Sequence, residues 1–134
     1  MTEPWAHRIT VARVHELHEE GLRRYGGDPG LLDANCPERC VANAWQAEMY
    51  QDDEGSGGLL FAAYLLFYVC QNHCFVDGNK RVAWLCMLQV LATHDLSISA
   101  TDDEAEAFMY SVAEGATETP ELIATWLAVR LIGV

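Results

Sequence analysis

Apolar residues recur at three- and four-residue intervals along most of this chain, the period of an α-helix rather than of a strand. Val11, Val14, Leu17 and Leu22 fall on one side of a first segment that Thr10 is placed to cap and that ends at Tyr25-Gly26-Gly27. A second helix is expected from Pro37 to about Met49, with proline in its first turn. The third, Leu59 to about Asn72, is apolar almost all round and should be the central element. A fourth starts at Asn79 or Lys80 and runs to about His94, carrying Val82, Leu85, Met87, Leu88 and Leu91. Thr101 and Glu104 have the spacing of a capping box for a fifth helix reaching about Glu114. Thr119 caps a sixth, with Pro120 at its first position and Leu122, Ile123, Trp126, Leu127 and Val129 inside. Ser97-Ile98-Ser99 is the only strand-like stretch. The pattern is that of an all-α fold, and 134 residues suit a single domain, 1–134, with one core.

Between the first two helices, residues 26–35 hold three glycines, Pro29 and Asn35, a composition that makes a loop. Its length suits a functional flap. Asp52 to Gly58 reads as a polar connector. A hydrophobic fraction of 51% belongs to a compact globular protein. The net charge of −12 argues against nucleic acid, whose phosphates need a basic face, and suits a partner with basic residues. The acid clusters Asp52-Asp53-Glu54 and Asp102-Asp103-Glu104 read as solvated loop or helix-start charge. No apolar run reaches the ~18 residues of a membrane span, and the N-terminus lacks a secretory pattern, so a cytoplasmic location is expected.

The five cysteines are an odd number, and without a secretory pattern no disulfide framework is expected. Cys36 and Cys40, and likewise Cys70 and Cys74, stand four apart, a looser spacing than zinc sites usually show. Cys70 and Cys86 read as small core residues. His15 and His18, on or near the inner face of the first helix, read as core or surface histidines.

The densest chemistry lies in His73-Cys74-Phe75-Val76-Asp77-Gly78-Asn79-Lys80-Arg81, pinned between the third and fourth helices. Asp77-Gly78-Asn79 precedes a helix, whose first N–H groups and dipole form an anion site. Gly78 removes side-chain bulk where a phosphate must approach the backbone. Lys80 and Arg81 sit in the first turn, where cations oppose the helix dipole, so they fit better with a polyanion bound there. His73 has the chemistry of a general base toward a hydroxyl. Asp77 can hold Mg²⁺ beside phosphates, Asn79 can donate to a phosphate oxygen, and Phe75 anchors the loop. The bland alternative is a helix cap, a tight turn and two surface cations.

This nine-residue stretch resembles the Fic/Doc signature, His-x-Phe-x-(Asp/Glu)-(Gly/Ala)-Asn-(Gly/Lys)-Arg, and Lys80 is the mark of the Doc (death-on-curing) branch. The end of the first helix, Arg24-Tyr25-Gly26-Gly27 with Pro29-Gly30, the alanine-containing helix before the motif and the overall length are similar as well. The resemblance implies a bundle of about six helices with a flap over the active site. It implies an enzyme: a Doc-type kinase that passes the terminal phosphate of ATP to a hydroxyl of a translation factor such as elongation factor Tu, with Mg²⁺. By position, His73 would be the base, Asp77 the Mg²⁺ holder, Asn79 and the Gly78 backbone a phosphate cradle, and Lys80 and Arg81 its counter-charges. Fic enzymes proper carry a second arginine where this chain has Trp84, which favours the Doc reaction. Gly78, where Doc proteins commonly have alanine, is the Fic choice and keeps nucleotidyl transfer (AMPylation) as the alternative. An inactive binding module and a metal-structural domain are the non-enzymatic alternatives. An internal inhibitory helix would begin with Ser or Thr, whereas the nearest stretches, Tyr50 to Gly55 and Tyr110 to Gly115, begin with tyrosine. A separate antitoxin is therefore what the family implies.

Overall fold

The computed structural model describes residues 3–51, 58–115 and 119–133. In them the chain forms α1 (Val11–Tyr25), α2 (Cys36–Gln51), α3 (Leu59–Asn72), α4 (Asn79–Ala92), β1 (Leu96–Ile98), α5 (Asp102–Ala113), α6 (Pro120–Ala128) and β2 (Leu131–Gly133). The all-α class holds, with one small sheet added. Residues 52–57 of the expected connector, and with them most of the stretch Tyr50 to Gly55, lie outside the described residues.

α3 is the axis of the molecule because its sequence leaves no polar side to face water. Phe61, Ala62, Ala63, Leu65, Leu66, Val69 and Cys70 are all buried, and α2, α4, α5 and α6 pack around it. Each large side chain removed from water there contributes about 1.5–3 kcal/mol. The alanines allow neighbouring helices to approach closely. The start of α3 is held by α2: the Glu48 carboxylate accepts from the Phe61 amide at 3.2 Å and pairs with Arg8. A buried acid at a helix N-terminus meets both an unpartnered amide and the positive dipole end.

The local caps follow the sequence closely. Thr10 accepts from the Arg13 amide at 3.0 Å, Thr101 and Glu104 form the full capping box, and Thr119 accepts from the Leu122 amide at 3.2 Å. The helix ends depart more. α4 stops at Ala92 and leaves His94 outside. α6 stops at Ala128, so Val129 is its 75% exposed C-cap rather than an inward residue, and Leu122 is also exposed. The chain then turns back as β2, which pairs antiparallel with β1, Leu96 opposite Gly133 and Ile98 opposite Leu131. The second strand has no period of its own; it forms because the partner edge of β1 is near.

The expectation of free thiols needs correction. Cys36 and Cys74 form a disulfide, their Cα atoms 5.3 Å apart and 38 residues apart in sequence. The pairing crosses from the start of α2 to the loop after α3, a proximity that four-residue spacings within helices cannot reveal. Cys40 lies beside it, its Sγ 3.7 Å from that of Cys74, and burial pushes the Cys40 thiol up to about 11, which keeps it protonated and unreactive. Cys70 and Cys86 are buried free cysteines, as the sequence reading had them. Cys36, Cys40 and Cys74 also form the one group of three potential metal ligands among the described residues, but two of their sulfurs are used in the disulfide.

Denaturing alkylation of air-oxidised protein should modify Cys40, Cys70 and Cys86 alone, and all five cysteines after reduction. On the loop-entropy account a bond closing this span stabilises by up to ~4 kcal/mol. Reduction should accordingly lower Tm by roughly 10 °C in calorimetry. Five reactive thiols before reduction would contradict the assignment.

Candidate functional site

α3 terminates at His73, whose backbone is left-handed (φ 47°, ψ 55°). Glycine or asparagine usually takes that position; a residue with a β-carbon bears roughly 1–2 kcal/mol of strain there. The His73 side chain is exposed, and its ring makes no hydrogen bond among the described residues. The chain then dips inward at Cys74 and Phe75, both buried, emerges at Val76 and Asp77, and turns at Gly78, again left-handed (φ 77°), into α4.

Three sets of bonds give this turn its shape. Within it, the Asn79 side chain accepts from the Phe75 amide at 3.1 Å and donates to the Phe75 carbonyl at 2.9 Å. The amide that the sequence suggested as a phosphate donor thus spends two of its bonds closing the loop. From outside, the flap adds an antiparallel bridge between Leu31 and Phe75. The Val76 amide donates to Gly30 and the Leu32 amide donates to Cys74. Gly30 is required at this approach, since a β-carbon there would crowd Val76 at 2.9 Å. From α1, His18 bonds the Asp77 carbonyl through Nε2 at 2.8 Å and stacks on the Phe75 ring at a centroid distance of 3.8 Å.

Asp77 is itself a junction. Oδ2 accepts from the Asp28 amide of the flap at 3.1 Å and Oδ1 from the Gly78 amide at 2.8 Å. These two amides, Asp28 first, hold its carboxyl below the ordinary value of 3.8. The group is therefore an exposed carboxylate at neutral pH, and each oxygen keeps a lone pair. No cluster of three His, Cys, Asp or Glu ligands surrounds it among the described residues. The exposed Asp77 carboxylate is a group that could hold Mg²⁺, which takes one or two carboxylates and completes its shell with phosphates and water.

At the start of α4 the backbone amides of Asn79, Lys80 and Arg81 have no acceptor among the described residues, the first intrahelical bond there being from Val82 to Gly78. Lys80 and Arg81 have no carboxylate within ion-pair distance among those residues either. Each instead lies against an aromatic face: Lys80 Nζ is 5.2 Å from the Tyr110 ring, and the Arg81 guanidinium 3.7 Å from that of Tyr25. Beside the open amides, two cations that form no ion pair among the described residues are groups able to receive an anion. Lys80 and Arg81 also line a cleft of about 450 Å³ between α1, α4 and α5, walled by Tyr25, Trp84, Met109 and Tyr110 together with the acids Asp102 and Glu106. His73, Asp77, Gly78 and Asn79 lie outside its lining.

The sequence thus placed the motif correctly on a loop and a helix start, and the fold brings Asp77, Gly78, Asn79, Lys80 and Arg81 to one turn, with His73 at its entry. His18, Tyr25, Asp28 and Tyr110 were missed as parts of it. Tyr25 and Asp28 lay in stretches the sequence marked only as a whole, the end of the first helix and the flap, and His18 showed only as a histidine on the inner face of α1, a spacing shared by ordinary core residues.

A six-helix domain that frames an open amide cluster with cations, a carboxylate and an exposed imidazole is of the class that the His73–Arg81 signature marks. The model of the Fic/DOC family matches residues 7–91, from before α1 to the end of α4. The chain is also 34% identical over 95 residues to Toxin Doc of Mycolicibacterium smegmatis (strain ATCC 700084 / mc(2)155), covering 69% of this chain and 72% of that protein. The chain belongs to the Fic/Doc family.

Because the folded value of Asp77 is depressed, its contribution to holding the flap is complete above 3.8 and is lost as pH falls through the lower, folded value. The Asp28 and Gly78 amide resonances should titrate together in NMR with a midpoint below 3.8. Asp77→Asn should abolish that titration. A midpoint at or above 3.8 would contradict the bonding described.

Proposed function

We propose that this chain is the toxin of a toxin–antitoxin pair and transfers the terminal phosphate of ATP to a hydroxyl of a protein target, a translation factor of the elongation factor Tu kind. The observation that carries the reading is the start of α4, where, among the described residues, three amides lack chain acceptors and Lys80 and Arg81 form no ion pair. Similarity to a protein named Toxin Doc supports the toxin role. It would act in the cytoplasm, where ATP and such a target meet; no helix among the described residues is long and apolar enough to cross a membrane. An antitoxin with basic residues would complement the net charge of −12. Nucleic acid is not proposed as a partner.

In this reading the Gly78 turn lets the phosphates approach the backbone, and the amides that follow hold them together with Asn79, Lys80 and Arg81. Mg²⁺, held by Asp77, would supply further neutralisation of phosphate charge. His73 takes the proton of the target hydroxyl as its oxygen bonds the terminal phosphorus. The bond from that phosphorus to the bridging oxygen breaks, and ADP leaves. Little covalent work falls to the protein; orientation and charge do most of it.

Phosphate transfer is favoured over nucleotidyl transfer by Lys80, which adds charge and bulk beside the cradle, and by Trp84. This tryptophan packs edge-on against Trp126 at 6.2 Å, where a nucleotidyl-transfer site of this family would carry a second arginine. The second reading rests on Gly78, a glycine where Doc proteins commonly have alanine, which is the choice of Fic enzymes proper. In that reaction the hydroxyl bonds the α-phosphorus and pyrophosphate leaves.

Purified protein should move label from γ-labelled ATP to a component of a translation extract, and intact-mass analysis of the target should show the gain of one phosphate. His73→Ala should slow the transfer roughly 10²–10⁴-fold, the usual contribution of a general base. Label arriving only from α-labelled ATP would establish nucleotidyl transfer instead, and no label from either would return the chain to a binding role.

A further inference from the structure

We infer that His18 is a positioning residue for the motif turn, holding from α1 the peptide group that joins Asp77 to Gly78. The inference rests on the reading of that turn as the transfer site. His18 is buried, unlike the exposed Asp77 it serves. Its Nε2 lies 2.8 Å from the Asp77 carbonyl oxygen. A carbonyl only accepts, so Nε2 carries the hydrogen, as it does in both the neutral ε tautomer and the imidazolium. The tie therefore survives a change in the charge of the ring.

The ring has two jobs at once. Its face lies on Phe75, 3.8 Å between centroids and 13° from parallel, while His15 meets the same phenyl edge-on at 5.8 Å. Its edge reaches past Phe75 to the Asp77 carbonyl and lies against the turn itself, 3.6 Å from where a β-carbon on Gly78 would stand. A flat side chain with a donor at its rim satisfies both; an aliphatic residue satisfies neither, and phenylalanine only the first.

The site of the tie separates it from ordinary packing. The Asp77 carbonyl and the Gly78 N–H belong to one peptide group. His18 holds its oxygen and the Asp77 carboxylate holds its hydrogen at 2.8 Å. Rotating that plane would break both bonds and so remove the amide that helps fix the direction of the Asp77 carboxylate. The Asn79 bonds and the flap bridge land on Phe75, Cys74 and Val76, and none of them restrains this plane. Asp77, the group assigned to the metal, thus takes its orientation from a residue 59 positions earlier.

Two substitutions separate the ring's functions. His18→Phe keeps the stack and removes the donor; His18→Gln loses the stack and keeps an amide donor at comparable reach. In nucleotide-free protein, NMR should show the Gly78 and Asp28 amide resonances moved in His18→Phe, with those of α6 unmoved, and largely restored in His18→Gln. In the transfer assay His18→Phe should lower kcat about tenfold, the worth of one hydrogen bond, with little change in KM for ATP. His18→Gln should recover at least half of that loss. Unmoved Gly78 and Asp28 resonances in His18→Phe would overturn the inference, as would two variants losing activity equally and in step with Tm. If the wild-type protein transfers neither phosphate nor nucleotide, the transfer reading fails and the NMR comparison alone decides the role of His18.

Discussion

The fold depends on closing a short loop between two buried helices without using up the amides at the start of the second. α3 and α4 pack against one another along apolar faces, so the six residues between them must reverse the chain in very little space. Asn79 solves this by bonding the Phe75 peptide from both sides, which draws the loop shut with a side chain rather than with the helix backbone. The amides of Asn79, Lys80 and Arg81 are left without chain acceptors among the described residues. Left-handed residues at both corners, His73 and Gly78, complete the reversal. Strain at His73 is tolerable because α3 and the buried Phe75 fix the loop on either side of it.

Every other part of the site can be understood as support for that loop. The Cys36–Cys74 disulfide, the bridge between Leu31 and Phe75, the Asp28–Asp77 bond and the His18 stack reach it from α2, the flap and α1. Such redundancy is what a rigid anion cradle needs, since its amides gain most when they do not have to reorganise around charge. The electrostatics agree. A carboxylate on one side of the Gly78 turn is kept ionised by amides, and two cations on the other lie on tyrosine faces and form no ion pair among the described residues. Tyr110 belongs to α5, beyond the stretch that matches the family model.

In the proposed reaction, the residues around the turn bear on which phosphorus of the nucleotide would be attacked. Lys80 and Trp84 on α4 and Gly78 at its cap point in opposite directions in family terms. They are separated in space by function: Gly78 shapes the backbone approach, whereas Lys80 and Trp84 line the cleft.

The sequence by itself determined the helices, their caps and the position of the motif, because these are set by neighbours within about four residues: Thr101 with Glu104, Thr119 with the Leu122 amide, Gly78 at the turn. It also marked Lys80 and Arg81, whose conflict with the α4 dipole is visible in one dimension. Tertiary structure alone decided which distant groups meet. Cys36 found Cys74, the flap found Asp77, and β2 found β1 only when packing around α3 brought them together. His18 is the clearest case. On α1 it has the spacing of any core residue, and its role exists only because α1 packs against α4 and lays the ring on Phe75. Contacts at long sequence separation leave no periodic trace, so the chain could announce the chemistry of its loop but not the scaffold that holds it.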